Sequence, residues 1–184
     1  DQRDRDQVLG MFANRSLSVL VATDVAARGL DIASLDLVIN VELGRDAETH
    51  IHRIGRTGRA GEKGLAVSLV APKEMRRALA IEDQQNGAIQ WLPLDEVRPH
   101  VDRSPLQAPM TTLCIGAGRK QKLRPGDILG ALTGDAGIPG AQVGKITLFD
   151  NQAYVAVERA IADKALQRLS QGKIKGRSLR VRAL

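Results

Sequence analysis

The sequence predicts an α/β domain, with a parallel sheet covered by helices on both faces, followed by an α+β domain with the element order βαββαβ. Three observations carry this prediction. Helical and strand-like segments alternate in the first half of the 184 residues, a proline-containing polar stretch interrupts them near residue 100, and strands predominate after it. Strands that are apolar throughout and alternate with helices are typical of parallel sheets. The chain is long enough for two domains, each with a modest core.

The first domain is predicted over residues 1–97. It opens with a helix at residues 4–14, where Val8, Met11 and Phe12 recur at helical spacing. The remaining predicted elements are strands at residues 17–23, 36–41 and 65–71, and helices at residues 46–54 and 73–85. The result is an alternating helix and strand order, as in units that build parallel sheets.

A linker is predicted at residues 98–109, where Pro99, Pro105 and Pro109 lie among polar residues with no period that would bury a face. The second domain then covers residues 110–184. Its predicted elements are strands at residues 111–115, 143–149, 154–158 and 178–184, and helices at residues 125–132 and 160–169. This order matches the split βαβ plan.

The basic charge of the chain is concentrated in the second domain. Residues 1–108 contain 14 Lys or Arg and 16 Asp or Glu, whereas residues 109–184 contain 13 and 5, within a total net charge of +6. A positive field of this kind favours phosphate backbones without sequence specificity, although a merely soluble basic surface is the alternative. Because no apolar run is long enough to span a bilayer, and because Cys114 is the single cysteine, we expect a cytoplasmic protein without membrane, disulfide or metal sites.

The segment from His52 to Gly61 carries the most specific chemistry. It places three arginines at intervals of three, Arg53, Arg56 and Arg59, with glycines between them. Glycines let a backbone approach a ligand closely, and guanidinium groups suit the oxygens of a transferring phosphoryl group. Taken alone, the segment would be better explained as a solvated arginine-rich loop.

Three elements in order give this sequence a resemblance to the DEAD-box family. Residues 52–59 match its HRxGRxGR element, residues 22–32 (ATDVAARGLDI) match ATDxxxRGxD, and Gln2 with Arg5 matches QxxR. The resemblance covers roughly residues 1–97 and implies a RecA-like domain. His52 at the head of the arginine segment favours RNA helicases over related DNA helicases.

The resemblance implies a role in ATP hydrolysis for this segment. Arg56 and Arg59 would act as arginine fingers, catalytic and ATP-binding, on the β and γ phosphates, and Asp31 would hold the ribose. His52 and Arg53 would couple this domain to another helicase domain.

The RNA-binding residues implied for the first domain are Gln2, Arg5, Thr23 and Arg28. Thr23 follows an apolar predicted strand, where ligands gather on open parallel sheets. The alternative for Thr23 is the N-cap of a helix.

The family holds ATP and Mg²⁺ with a GKT loop and a DEAD element, and neither occurs in these 184 residues. We therefore expect the carboxyl-terminal part of a helicase, truncated even within its second RecA-like domain, whose partner is the amino-terminal helicase domain. We expect the chain alone to be inactive as a helicase and to be a monomer.

The order and charge of the second domain suggest an RNA-recognition-motif fold, which usually stacks bases on sheet aromatics. Aromatics are scarce here, since Tyr154 stands in the third strand segment and Cys114 in the first. The other candidate RNA contacts are cationic, namely Arg119, Lys120, Lys122, Arg124, Lys173, Lys175, Arg177, Arg180 and Arg182.

The segments RPGDILGALTGDAG and GKIKGRSLRVRAL extend the resemblance to one bacterial branch of the DEAD-box family. In that branch the tail docks a hairpin of large-subunit ribosomal RNA during ribosome assembly. Two other functions stay open. The chain could be a non-catalytic RNA-binding module, or a protein-interaction domain that shares the fold.

Overall fold

The computed structural model describes residues 1–24, 35–58, 63–85, 89–97, 104–134 and 137–184. They form two compact units. The tail unit contains Asp1–Arg28 and Ser104–Leu184, and the middle unit contains Gly29–Arg103. The described helices are α1 (Gln2–Ala13), α2 (Ala47–Ile54), α3 (Met75–Gln85), α4 (Pro125–Thr133) and α5 (Ala162–Gln171). The described strands are β1 (Leu37–Asn40), β2 (Leu65–Ser68), β3 (Met110–Ile115), β4 (Val143–Leu148), β5 (Ala153–Glu158) and β6 (Val181–Ala183).

The middle unit contains a parallel pair of strands, which confirms the predicted parallel sheet. Strand β1 pairs with β2 in the register Leu37 to Leu65 through Asn40 to Ser68. Helices α2 and α3 pack together around a small core that includes Ala47, Ala78 and Ile81. The predicted helices at residues 46–54 and 73–85 therefore form, the second of them after a 3-10 turn at Pro72–Glu74.

Two expectations for the parallel sheet are not met in the described residues. Helices do not cover both faces, because Leu37, Ile39 and Leu65 are 46%, 57% and 59% exposed. Two strands of four residues are too narrow to carry a helix layer on each side. The predicted strand at residues 17–23 is irregular, and Val21 is 94% exposed. The Leu17 N–H donates to the Met11 carbonyl at 3.2 Å, in a turn after α1, rather than to a neighbouring strand.

The tail unit contains a four-stranded antiparallel sheet in the order β4-β5-β3-β6. Side chains alternate across it, so that Leu113, Ile115, Val155 and Val157 are 0% exposed in one core. Helices α4 and α5 cover this face through Ile128, Leu132, Ala165 and Leu169, which belong to the same core. We call this the helix side of the sheet, and the opposite face the outer face.

Helix α1 lies on the outer face of the tail sheet. The Asn14 amide donates to Thr112 Oγ1 at 2.8 Å, and Thr112 Oγ1 donates to Ser16 Oγ at 2.7 Å. All three residues are at least 93% buried. Met110 N–H also donates to the Arg15 carbonyl at 3.3 Å. This hydrogen-bonded group is satisfied internally, as buried polar groups need to be.

The domain boundaries expected from the sequence stay a prediction. The prediction from the sequence places α1 in the domain of residues 1–97, whereas in the structure α1 packs with Ser104–Leu184. The physical reason is that the outer face of the tail sheet offers polar partners to residues 14–16. Within the predicted linker, residues 98–103 lie outside the described residues, and residues 104–108 form neither helix nor strand.

In the described ranges, no helix is both long and apolar enough to cross a membrane.

Candidate functional site

Helix α2 presents the beginning of the arginine segment. Asp46 caps the helix by accepting the Thr49 N–H at 2.7 Å. That hydrogen bond is the main reason why the pKa of the Asp46 carboxyl lies below its ordinary value. Asp46 is thus ionised at the positive end of the helix dipole, which is a favourable place for a negative charge.

Three candidate residues of the segment lie near the carboxyl end of α2, with His52 and Arg53 in its last turn and Arg56 just after it. His52 is exposed, and Arg53 is half-buried, with Nη1 donating to the Glu42 carbonyl at 2.7 Å. Arg56 is also half-buried. Its N–H donates to the Arg53 carbonyl at 3.3 Å, and its carbonyl accepts the Leu35 N–H at 2.9 Å. The backbone at Arg56 is therefore fixed from both sides, which suits a guanidinium that must point in one direction.

The three other ATP and RNA candidates in this half, Arg28, Asp31 and Arg59, lie outside the described residues. The neighbouring Thr57 is described, and its hydroxyl donates to the Leu35 carbonyl. Leu35 and Thr57 also form a parallel bridge. These contacts tie the chain between Arg56 and Arg59 to the amino-terminal side of β1.

His50, two residues before His52, is a buried residue of α2. It is 6% exposed, and its Nδ1 has no hydrogen-bond partner among the described residues. Burial, and to a lesser degree the charge of Arg53, lower the pKa of the ring below 6.5. No group of three potential metal ligands occurs in the ranges that the structure describes.

Gln2, Arg5 and Thr23 belong to the tail unit. Gln2 and Arg5 are exposed on α1, and the Gln2 amide donates to Asp6 Oδ1 at 2.7 Å. Thr23 is exposed just before the undescribed residues 25–34. The side chains of Gln2 and Arg5 lie three residues apart on a helix, so they share one face.

A cross-strand row lies on the outer face of the tail sheet. Arg182 pairs with Cys114, Cys114 with Tyr154, and Tyr154 with Thr147. Directly opposed residues point to the same face of a sheet. Cys114 and Tyr154 are therefore neighbours on the outer face, and Arg182 lies beside Cys114.

Tyr154 is 2% exposed because α1 covers it. Its hydroxyl donates to Gln7 Oε1 at 3.3 Å and accepts the Gln152 amide at 3.0 Å. Phe149 meets its ring edge to face, with centroids 4.9 Å apart. Sequence reasoning missed Phe149 and Gln152, which follow β4 rather than lying within a strand. Base stacking on Tyr154 would require α1 to move.

The predicted cations of the tail fall into separate groups. Arg119 and Lys120 lie in a 3-10 turn that is hydrogen-bonded to the β4–β5 turn, since their N–H groups donate to the carbonyls of Phe149 and Asp150 at 2.8 and 2.9 Å. Gly118 allows this close approach, because a Cβ there would lie 2.1 Å from the Phe149 carbonyl oxygen. Arg180 and Arg182 are exposed along β6 and the residues before it.

A second group lies near the start of α4. We define the lysine corner as Lys122, Arg124, Lys175 and Arg177, all of which are exposed. Lys175 Nζ donates to the Lys122 carbonyl at 2.5 Å and lies 3.7 Å from Asp127 Oδ2. Lys173 is also exposed and lines a crevice beside Arg168 and Gly172.

Two family models match this chain. The helicase conserved C-terminal domain matches residues 1–61, and the DbpA RNA binding domain matches residues 112–183. The ATP-dependent RNA helicase DbpA of Escherichia coli is 55% identical over all of this chain. The chain belongs to the DbpA family. It spans 40% of the length of the Escherichia coli DbpA and 42% of the Bacillus subtilis DbpA, which is 34% identical over 98% of this chain.

Helicases with other names are similar to part of the chain. The human ATP-dependent RNA helicase DDX42 is 53% identical over 90 residues, which is 49% of this DbpA-family chain and 10% of DDX42. Among solved structures, the Escherichia coli DEAD-box protein SrmB, bound to the regulator of ribonuclease activity A, matches with a TM-score of 0.48. It is 39% identical and covers 58% of this chain and 62% of that chain.

Proposed function

We propose that this chain is the carboxyl-terminal part of an ATP-dependent RNA helicase that acts on structured large-subunit ribosomal RNA in ribosome assembly. The observation that carries the proposal is the presence, in one chain, of a helicase C-terminal match at residues 1–61 and an RNA-binding match at residues 112–183. These two matches also support the division into residues 1–97, a linker at 98–109, and residues 110–184. In the full protein, ATP binding would close two helicase domains around RNA, and hydrolysis would release it.

The arginine segment is the ATP-handling part of the proposal. Arg56 would place positive charge on the transferring phosphoryl group together with Arg59, and Asp31 would hold the ribose. The half-buried position of Arg56 and its fixed backbone are consistent with that task. ATP supplies the phosphoanhydride bond that is hydrolysed. The residues that would hold Mg²⁺ belong to the GKT and DEAD elements, which these 184 residues do not contain.

The RNA-handling residues of the helicase part would be Gln2, Arg5, Thr23 and Arg28. His52 and Arg53 would pass the state of the nucleotide to the partner helicase domain. The exposure of His52 leaves it accessible for this role. We expect the whole protein to act as a cytoplasmic monomer.

The tail would tether the helicase to RNA as a domain of the RNA-recognition-motif kind. The observed order β3, α4, β4, β5, α5, β6 and the sheet order β4-β5-β3-β6 support that comparison. Its net charge supports binding to phosphates. The scarcity of exposed aromatic rings favours contacts to RNA structure over base stacking.

The test of the catalytic role uses the full-length protein, of which this chain is a part. Arg56→Ala and Arg59→Ala should each lower RNA-stimulated ATP turnover by about 10³-fold or more, because an arginine finger stabilises charge in the transition state. Arg76→Ala is the matched control, since Arg76 is exposed on α3. Turnover that is unchanged in both variants would refute the assignment of Arg56 and Arg59 as arginine fingers.

A second function is favoured by the tail itself, which has its own buried core of Leu113, Ile128, Val155 and Leu169. The chain could act as an RNA-binding module without catalysis. Titrating a labelled ribosomal RNA hairpin with this chain, without ATP, measures that activity. Binding that ignores RNA structure and disappears with salt would indicate simple electrostatics instead.

A further inference from the structure

The chain that leaves α2 runs beside the amino-terminal ends of both described strands of the middle unit. Thr57 forms a parallel bridge with Leu35, two residues before β1. The Leu35 N–H donates to the Arg56 carbonyl at 2.9 Å, and the Leu35 carbonyl accepts the Thr57 hydroxyl. Leu35 therefore holds this chain both through the backbone of Arg56 and through the side chain of Thr57.

Gly64, the residue before β2, lies against the same stretch of chain. A Cβ at this position would overlap Thr57 Oγ1 and the Gly58 nitrogen, and would lie 2.8 Å from Thr57 Cβ. The Gly58 nitrogen belongs to the backbone, and a β-branched side chain such as that of Thr57 is stiff at χ1. Only glycine allows this close approach, so a side chain at position 64 would displace the chain around Thr57.

The backbone on either side of Thr57 is also fixed. The Thr57 N–H donates to the Ile54 carbonyl at 3.0 Å, which ties the residue to the end of α2. Gly58 then takes a φ of 65°, in the left-handed region that residues other than glycine rarely adopt. We define the threonine seat as Leu35, Thr57, Gly58 and Gly64.

The threonine seat has no charged side chain, whereas Arg56, directly before Thr57, has one. The seat can therefore influence phosphoryl transfer through the arginine that it holds. A guanidinium stabilises a transferring phosphoryl group only when its N–H groups are aimed at it, and a misplacement of about 1 Å can lower the rate about 10²-fold. The HRxGRxGR element leaves the position of Thr57 open and ends before Gly64, so the resemblance assigns neither residue a role.

We propose that Thr57 and Gly64 are positioning residues for ATP hydrolysis, which hold Arg56 in the direction that an arginine finger needs. This inference rests on the proposed function of the arginine segment and adds two residues to it. Thr57 supplies the side-chain hydrogen bond to Leu35, and Gly64 supplies the space into which the bonded chain fits. A catalytic side chain requires rigid support of this kind from its neighbours.

The first test separates the hydroxyl of Thr57 from its shape, in the full-length protein. Thr57→Val keeps the β-branched shape and removes the hydrogen bond, whereas Thr57→Ser keeps the hydroxyl. RNA-stimulated kcat for ATP should fall about tenfold in Thr57→Val, as for a finger that is aimed less well, and stay close to normal in Thr57→Ser. The KM for RNA should stay the same in both variants, because the lost interaction acts in the transition state. An equal fall of kcat in Thr57→Ser would overturn the role of the hydroxyl.

The second test adds a methyl group to the threonine seat. Gly64→Ala should lower kcat by about 10²-fold, because its Cβ must displace the chain around Thr57. Gly130→Ala is the matched control, since Gly130 is exposed on α4 and a Cβ there would meet no described atom within 4 Å. It should leave kcat unchanged. If the thermal midpoint shows that Gly64→Ala does not fold, the two Thr57 variants decide.

A double-mutant cycle shows whether Thr57 acts through Arg56. Thr57→Val should lower the residual turnover of Arg56→Ala by a much smaller factor than it lowers that of the unchanged protein, because an absent guanidinium cannot be misdirected. A general structural defect would lower turnover by the same factor in both backgrounds. Equal factors would therefore overturn the proposal.

The outcomes also separate this inference from the proposed function. Normal kcat in Thr57→Val and Gly64→Ala, beside a loss in Arg56→Ala, would overturn the positioning role and leave the proposed function standing. A raised KM for RNA at unchanged kcat would overturn the positioning role as well, because it would place the two residues in RNA binding. Normal kcat in Arg56→Ala would overturn the role of Arg56 as an arginine finger, and the positioning role with it.

Discussion

The tail unit and the middle unit bury their strands to very different degrees. In the tail, Leu113 and Val155 are 0% exposed, whereas in the middle unit Ile39 and Leu65 are 57% and 59% exposed. The sequences of these strands are similarly apolar. The difference in burial comes from the elements that pack on the strands, because the tail has four strands with helices on both faces and the middle unit has two described strands. Apolar composition therefore predicts a strand, but the number of packed layers decides its burial.

The largest expected effect of this difference is on stability. Leu113→Ala in β3 should lower the free energy of unfolding by about 2–5 kcal/mol, since it removes a fully buried side chain and leaves a cavity. Leu37→Ala in β1 should change it by much less, because Leu37 is 46% exposed. Urea unfolding of the two variants measures both values. A larger loss in Leu37→Ala than in Leu113→Ala would contradict the comparison.

A smaller effect should follow from the hydrogen bonds beneath α1. Thr112→Val should lower the free energy of unfolding by about 1–3 kcal/mol, because it leaves Asn14 and Ser16 buried without their shared partner. Thr111→Val is the control, since Thr111 is only half-buried on the same strand. Equal stability of the two variants would mean that α1 contributes little to the tail unit.

The smallest expected effect is on how stability depends on pH, through His50 in the middle unit. Burial lowers the pKa of His50 below 6.5, so the unfolded chain binds more protons than the folded chain at slightly acidic pH. Stability from this residue is present above pH 6.5 and is lost as the pH falls through 6.5 toward the folded pKa. His50→Gln should flatten that part of the stability curve, whereas His52→Gln, at an exposed position, should not. An NMR titration that gives His50 an ordinary pKa would refute the explanation.

Local patterns in the sequence were sufficient to predict most helices and strands. The predicted helix at residues 46–54 corresponds to α2, and the predicted strands at residues 36–41 and 65–71 correspond to β1 and β2. The predicted strand at residues 17–23 was wrong, because a strand also needs a hydrogen-bonded neighbouring strand, whereas the Leu17 N–H donates to the Met11 carbonyl of α1. Local apolar character does not reveal that partner.

The candidate site, too, could be predicted only in part from local sequence patterns. The sequence picked out Cys114 and Tyr154, and the structure places them opposite each other. The sequence also identified Lys175 by its charge, but only as one of many cationic residues. The hydrogen bond from Lys175 to Lys122 and the cover of α1 over Tyr154 depend on contacts between distant residues. Charge along a chain carries no information about such contacts.

The sequence by itself determined the family resemblance, the order of most of the elements and the concentration of positive charge after residue 108, because each is a property of neighbouring residues. Only the tertiary structure decided which cations share a surface, and that α1 covers Tyr154 on the outer face of the tail sheet. The physical reason is that register and packing bring together residues such as Lys122 and Lys175, which are far apart in the chain.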